Sequence, residues 1–351
     1  MKLAASAVGL ILLVGLSTPI SHSIQAQKKK PKQPTAAETE DDVVRVTTTL
    51  VTVPVSIKDR KGKPILHLTR EDFRLFEDGV EQNIAYFDPP EARISESENA
   101  ALKVQKPLTI ALLFDVSDST EFKLKQIQQA AIAFIDQLNP EDRMLILAFD
   151  KNVKVLAELT NDRGILRNAV SRTRTGRGTS LYDAVDSVVT WLSRVGGRKA
   201  IVLLTDGVDT SSAAATYDST VRAAEHLDAA IYSIQYDTYS DFADNPLRQT
   251  DALGQGGTAH MTRNGELASE AYKRATLYLR LLANKTAGQF QFADGAKSLG
   301  LSFARIAEQL RQEYALGYYP KNQTGHGLVR EIKVAVAGPD LVVRARKSYR
   351  Y

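Results

Sequence analysis

Cysteine is absent from the 351 residues, which excludes thiol nucleophiles, disulfide staples, Cys-ligated zinc and a lipid-modified N-terminal cysteine in one step. The fold must stand on its core alone. Histidine is scarce: the five, His22, His67, His226, His260 and His326, are scattered with no pair on one helix face and no motif around them. Solvated or packing roles are expected of them rather than catalysis. Neither sign of charge is in large excess, with 45 Lys plus Arg against 41 Asp plus Glu for a formal net charge of +4. The basic residues are dispersed rather than gathered on one predicted face, which argues against a nucleic-acid partner. A long hydrophobic run is missing too. The N-terminal stretch "LAASAVGLILLVGL" behind Lys2 is short for a membrane span.

That stretch and the polar "STPISHSIQA" after it read as a targeting signal, with small residues at Ser23 or Ala26 for cleavage. "KKKPK", Lys28 to Lys32, puts more positive charge after the apolar run than before it, which could favour an uncleaved, inverted anchor. The expectation is a cleaved signal over residues 1–26, no stable span afterwards, and a protein exported to the periplasm or secreted.

With 43% hydrophobic and 25% charged residues the remainder has an ordinary globular balance, and the length suggests about two domains. Residues 27–42 have almost no large apolar side chain and read as a flexible linker. From Val43 to residue 90 the chain is rich in Val and Thr with near-alternating character, and "FRLFEDG" followed by "EQNIAYF" suggests a hairpin around Asp78-Gly79. Residues 91–106 are polar and form a second linker. Over 107–312 short apolar strands alternate with helical segments, which predicts a mostly parallel sheet covered on both faces. One connection breaks the alternation. "AFDKNVKVL" joins two strands through Lys151-Asn152 with no room for a crossover helix, so those strands must be antiparallel neighbours. Residues 313–351 return to β character. A small sheet at either end has an apolar face with nothing to cover it, and pairing the two segments in one β-sandwich hides both. The expected arrangement is therefore an α/β domain inserted within a discontinuous β domain. The competing arrangement lays the tail strands along the edge of the α/β sheet.

In an open parallel sheet, ligands bind beyond the carboxyl ends of the strands, where the strand order reverses. Asp115 in "LLFD" and Asp206 in "VLLTD" both stand at such ends, and the glycines of "TGRGTSLYDA" would let Thr179 approach the same edge. Ser117 and Ser119, two apart in a strand-to-helix loop, can turn both hydroxyls to one side. Two carboxylates and several hydroxyls with no His or Cys nearby describe a hard-cation site for magnesium or manganese, conceivably calcium. Each element has a plainer reading: Ser119 and Thr120 as helix caps, Asp206-Gly207 as a turn. Asp118 and Asp209 are read as solvated or capping and stay outside the ligand set.

"DVSDS", "GTSLYDA" and "TDGVD" together resemble the metal-ion-dependent adhesion site of von Willebrand factor A domains, D-x-S-x-S, then Thr, then Asp. Matched residue by residue, Asp115, Ser117 and Ser119 fill the first part, Thr179 the second and Asp206 the third. The flanks "LTREDFRLFEDGVEQNIAYF" and "YALGYYP" are similar to those of secreted bacterial proteins with a domain of this kind. The resemblance implies a doubly wound, mostly parallel six-stranded sheet with one antiparallel edge strand. It also implies binding of protein partners through the metal, and no catalytic activity.

The leading functional expectation is thus an exported, adhesion-type binding module that captures a partner's Asp or Glu carboxylate through a divalent cation. The alternatives are an envelope protein that the metal only stiffens and a divalent-metal hydrolase, which would need a nucleophile or base over the ion. Neither the partner nor the oligomeric state is readable. Thr238 to Glu270 is a long irregular insertion leaving the same sheet edge, read as a specificity loop or as disorder. Trp191 and Leu192 follow helical spacing from Val185 and Val188 and read as core, while the tyrosines of "YALGYYP" are expected to pack between the two domains.

Overall fold

Alternation of apolar and polar side chains decides which face of each strand turns inward, and it does so differently in the two halves of this molecule. The structure, a computed structural model, describes residues 50–90, 107–121, 123–238, 265–325 and 327–351. The expected signal over 1–26, the linkers at 27–42 and 91–106 and nearly all of the insertion lie outside the described residues. Among the described residues no helix is long and apolar enough to cross a membrane.

The first strands are β1 (Val51–Asp59), β2 (Phe73–Glu77), β3 (Val80–Gln82) and β4 (Ile84–Asp88). β2 and β3 form the hairpin around Asp78 and Gly79, whose φ angles of 48° and 80° are those of a tight primed turn. The stretch expected as one second strand, "EQNIAYF", is divided. β3 stays with β2, and after Asn83 the chain enters the other sheet as β4. Gln82, at the end of β3, and Ile84, at the start of β4, are both buried.

The α/β part follows as β5 (Thr109–Asp115), α1 (Leu124–Asp136), β6 (Arg143–Phe149), β7 (Val153–Thr160), α2 (Arg163–Ser171) and α3 (Leu181–Leu192). It continues as β8 (Lys199–Thr205), α4 (Tyr217–His226), β9 (Ala230–Tyr236), α5 (Ala268–Lys285), β10 (Phe290–Ala293) and α6 (Ala296–Arg311). These make a six-stranded sheet in the order β10-β9-β8-β5-β6-β7, parallel except for β7, which returns antiparallel beside β6. β5 sends Ile110, Leu112 and Phe114 to one face and Ala111 and Leu113 to the other. On the first face α1, α2 and α6 cover the sheet, with Phe134 against Phe303 at 5.2 Å between ring centroids. On the second, α3, α4 and α5 do so, and Leu192 is core there with Trp191 packed beside it. Replacing a buried phenylalanine such as Phe134 by alanine costs about 3–5 kcal/mol in sites of this kind. The strand order reverses between β5 and β8: the chain leaves β5 towards β6 and leaves β8 towards β9.

The last strands are β11 (Tyr314–Tyr318), β12 (Val329–Val336), β13 (Leu341–Ala345) and β14 (Ser348–Arg350). They pair with the first ones in two four-stranded sheets, β13-β1-β11-β4 and β14-β12-β2-β3. Val53, Val55 and Ile57 of β1 pack with Leu75, Leu316 and Ile332 between the sheets. Tyr314 and Tyr318, expected at a boundary between domains, lie in this core instead, because their common strand face turns inward to Phe73 and Glu77. Tyr319, on the opposite face, is exposed. Arg330 and Glu77 form a buried ion pair at 2.6 Å, and Tyr318 and Tyr349 both donate to the other Glu77 oxygen, at 2.7 and 2.6 Å.

Side chains also tie the β strands to the α/β part. Arg346, buried between β13 and β14, donates to the carbonyls of Leu227, at 3.0 Å, and Glu225. These are the unsatisfied carbonyls at the end of α4, where a cation is favoured. Arg198 donates to the carbonyl of Leu310 at 2.9 Å, and Tyr232 donates to Glu313.

Candidate metal centre

An apolar strand carries Asp115 to the point where the strand order reverses, and a second carries Asp206 to the neighbouring position one residue past β8. Asp115 has 0% of its surface exposed and Asp206 3%. A buried carboxylate needs donors or a countercharge, and the donors come from three loops. Asp115 accepts from the Ser117 backbone N–H at 2.9 Å and, through its second oxygen, from the Thr205 hydroxyl at 2.7 Å. Asp206 accepts from the Val208 N–H at 3.0 Å, and its other oxygen from the Ser119 hydroxyl at 2.9 Å and the Thr238 hydroxyl at 2.8 Å. The Ser117 and Ser119 hydroxyls share a hydrogen bond at 3.0 Å, completing a chain from Ser117 through Ser119 to Asp206.

Thr179 joins through its backbone. Its carbonyl accepts from the Thr210 and Ser211 N–H groups at 2.9 and 3.0 Å, and its own N–H donates to the Thr210 hydroxyl at 2.9 Å. The same loop is held against the first one, since the Gly176 N–H donates to the Val116 carbonyl at 2.7 Å. Two glycines make these approaches possible. A Cβ on Gly176 would stand 2.0 Å from an Asp150 carboxylate oxygen; Gly207, with φ of 87°, would place one 2.9 Å from Ala275.

Burial, and then the like charge of Asp206, push the Asp115 carboxyl well above the usual carboxylate range. Burial likewise raises that of Asp206, against the hydrogen bonds it accepts. All the hydrogen-bond donors named for this pair are neutral hydroxyls and backbone amides. Two buried acids with hydroxyls around them and, among the described residues, no ammonium or guanidinium partner form an oxygen-donor set that fits a hard divalent cation.

Residues 110–208 match the family model of the von Willebrand factor type A domain. The matched range runs from β5 to just past β8 and includes all five residues, Asp115, Ser117, Ser119, Thr179 and Asp206. No curated protein matches the chain. Similar solved structures include the vWF domain of the type V pili tip protein Mfa5 from Porphyromonas gingivalis, 13% identical with a TM-score of 0.43 over 58% of this chain and 95% of that one. Another is the conserved hypothetical protein BatB from Bacteroides thetaiotaomicron, 14% identical with a TM-score of 0.39 over 57% and 99%. A third is a von Willebrand factor type A protein from Catenulispora acidiphila, 11% identical with a TM-score of 0.45 over 70% and 66%.

Sequence reasoning missed Thr205, Thr238 and Tyr272, which surround the two aspartates. Thr205 is the last residue of β8, so its position beside Asp206 in "LLTD" was the available signal. Tyr272 lies on α5, with its hydroxyl hydrogen-bonded to the Thr238 hydroxyl and 3.4 Å from an Asp206 oxygen; nothing local marks it. Asp209 is a bracket for the third loop, accepting from the Tyr182 and Ser212 N–H groups at 3.1 and 3.2 Å.

Proposed function

We propose that the type A domain is a metal-ion-dependent protein-binding module of the adhesion type, working outside the cytoplasm. Asp115, Ser117, Ser119, Thr179 and Asp206 would hold a divalent cation, magnesium or manganese and conceivably calcium. A partner's Asp or Glu carboxylate would complete the coordination. The observation that carries this reading is the pair of buried carboxylates met, among the described residues, by neutral donors alone. A cation that keeps much of its charge among neutral hydroxyls attracts an external anion, which suits capture of a carboxylate rather than chemistry upon it.

Calorimetry with Mg2+ and Mn2+ on the full chain tests the site. Binding that is lost in Asp115→Ala and in Thr179→Ala, with the fold retained, supports it; undiminished binding in both variants sinks it. Retention of a partner from an envelope extract in Mg2+ but not in EDTA separates a binding module from an ion that only stiffens the fold.

A further inference from the structure

The loop that carries Thr179 also brings charge to the site's edge. It runs "RTRTGRGT" from Arg172 to Thr179, and Arg172, Arg174 and Arg177 are all exposed. Lys151, in the turn between β6 and β7, is exposed beside them, its N–H donating to the Arg177 carbonyl at 2.9 Å. Basic residues that are dispersed along the sequence are therefore gathered here.

This backbone is fixed rather than free to swing away. Gly176 pairs with Ser117 in a parallel bridge, and a Cβ on Gly178 would meet the Ser211 hydroxyl at 2.4 Å. Arg174 donates to the Thr173 carbonyl within its own loop at 2.9 Å. Among the described residues, no hydrogen bond or ion pair engages the side chains of Arg172, Arg177 or Lys151. The described acids on the same edge are engaged. Asp150 accepts from Lys154 at 2.5 Å and from the Asn152 N–H at 2.7 Å, Asp209 brackets the third loop, and Asp118, Glu121 and Asp237 each have an interaction of their own. Among the described residues, Arg172, Arg177 and Lys151 are thus positive charges without a partner in and beside the loop that carries Thr179.

We propose that the occupant of this edge is an acidic peptide segment: one Asp or Glu carboxylate meets the cation, and acidic side chains flanking it pair with Arg172, Arg177 and Lys151. The proposal rests on the metal-dependent reading above and names its partner's chemistry. Charge complementarity of this kind selects partners and speeds encounter more than it adds raw affinity. Each exposed pair is worth about twofold in affinity, so three together give about tenfold at low salt.

The test uses the full chain and two labelled peptides followed by fluorescence anisotropy: a Gly/Ser peptide with a single central Asp, and the same peptide with Glu residues added on both sides. Mg2+-dependent binding of the single-Asp peptide, with Mg2+ calorimetry alongside, tests the metal reading by itself. The proposal expects the acidic peptide to bind about tenfold more tightly in Mg2+ at low salt, with the gain lost at high salt. It also expects the gain to vanish in the combined Arg172→Gln, Arg177→Gln and Lys151→Gln variant, whose folding is checked by circular dichroism. Equal affinity for the two peptides overturns the proposal while leaving the metal reading intact, as does a gain that survives in that variant. Tighter Mg2+-dependent binding of inorganic polyphosphate than of the acidic peptide overturns it too. Acidic-peptide binding unchanged in EDTA overturns the proposal because the carboxylate would then not be anchored on the cation.

Discussion

The buried carboxylate of Glu77 and the buried pair Asp115 and Asp206 treat their charge in opposite ways. In the β-sandwich, Glu77 is 2% exposed and meets Arg330 at 2.6 Å, with two tyrosine hydroxyls on its other oxygen. At the sheet edge of the α/β part, Asp115 and Asp206 are as deeply buried and, among the described residues, meet only hydroxyls and backbone amides. The first cluster closes its own charge balance and therefore holds strands from the two ends of the chain together. The second leaves its balance open, which is the condition under which a bound cation contributes both stability and function.

The sharpest way to break the comparison is to remove one side of the closed cluster. Glu77→Ala leaves the Arg330 guanidinium buried without a carboxylate and is expected to lose about 3–5 kcal/mol in urea unfolding. A loss below about 1 kcal/mol would mean the pair does not hold the sandwich together. Asp115→Asn does the reverse at the open site. It removes charge that has no countercharge, so the metal-free protein keeps its stability while Mg2+ affinity falls by about a hundredfold, about 2.7 kcal/mol, in calorimetry.

A pH series without added metal extends the contrast. Both aspartates have folded pKa values raised above the unfolded ones. The native state therefore holds more protons than the unfolded state, from the ordinary carboxylate range near pH 4 up through the raised values. Stability falls as pH rises across that window, by at most about 1.4 kcal/mol per pH unit for each proton. Saturating Mg2+ should flatten the slope; a slope of the same size with and without Mg2+ would argue against these two groups as its source. The smallest effect is expected of Thr205→Val, which deletes the 2.7 Å hydrogen bond to Asp115 and should cost about 1 kcal/mol by thermal unfolding.

Much of the α/β part was legible because its signals are local. The apolar run of β5 ending at Asp115, the Asp162 cap whose carboxylate accepts from Gly164 and Ile165, and the short turn from β6 to β7 each depend on neighbours in sequence. The candidate site residues Asp115, Ser117, Ser119, Thr179 and Asp206 likewise stand in three short stretches in order. Asn83, where the chain passes from one sheet to the other, carries no such signal. The inward turn of Tyr314 and Tyr318 was also hidden, since strand alternation says that two side chains share a face but not which core receives it.

Strand and helix periods, the antiparallel edge hairpin and the five oxygen-bearing positions were determined by the sequence alone, because each follows from backbone geometry or spacing within a few residues. Only the tertiary structure decided that Ser119 reaches Asp206 across 87 residues, that Arg330 meets Glu77 across 253, and that Tyr272 closes over Thr238. It alone gathered Arg172, Arg177 and Lys151 on one edge, since the turn after β6 and the loop after α2 meet only when the sheet brings them there. A buried charge has no meaning until its surroundings exist, and in this protein those surroundings come from segments that the chain itself keeps far apart.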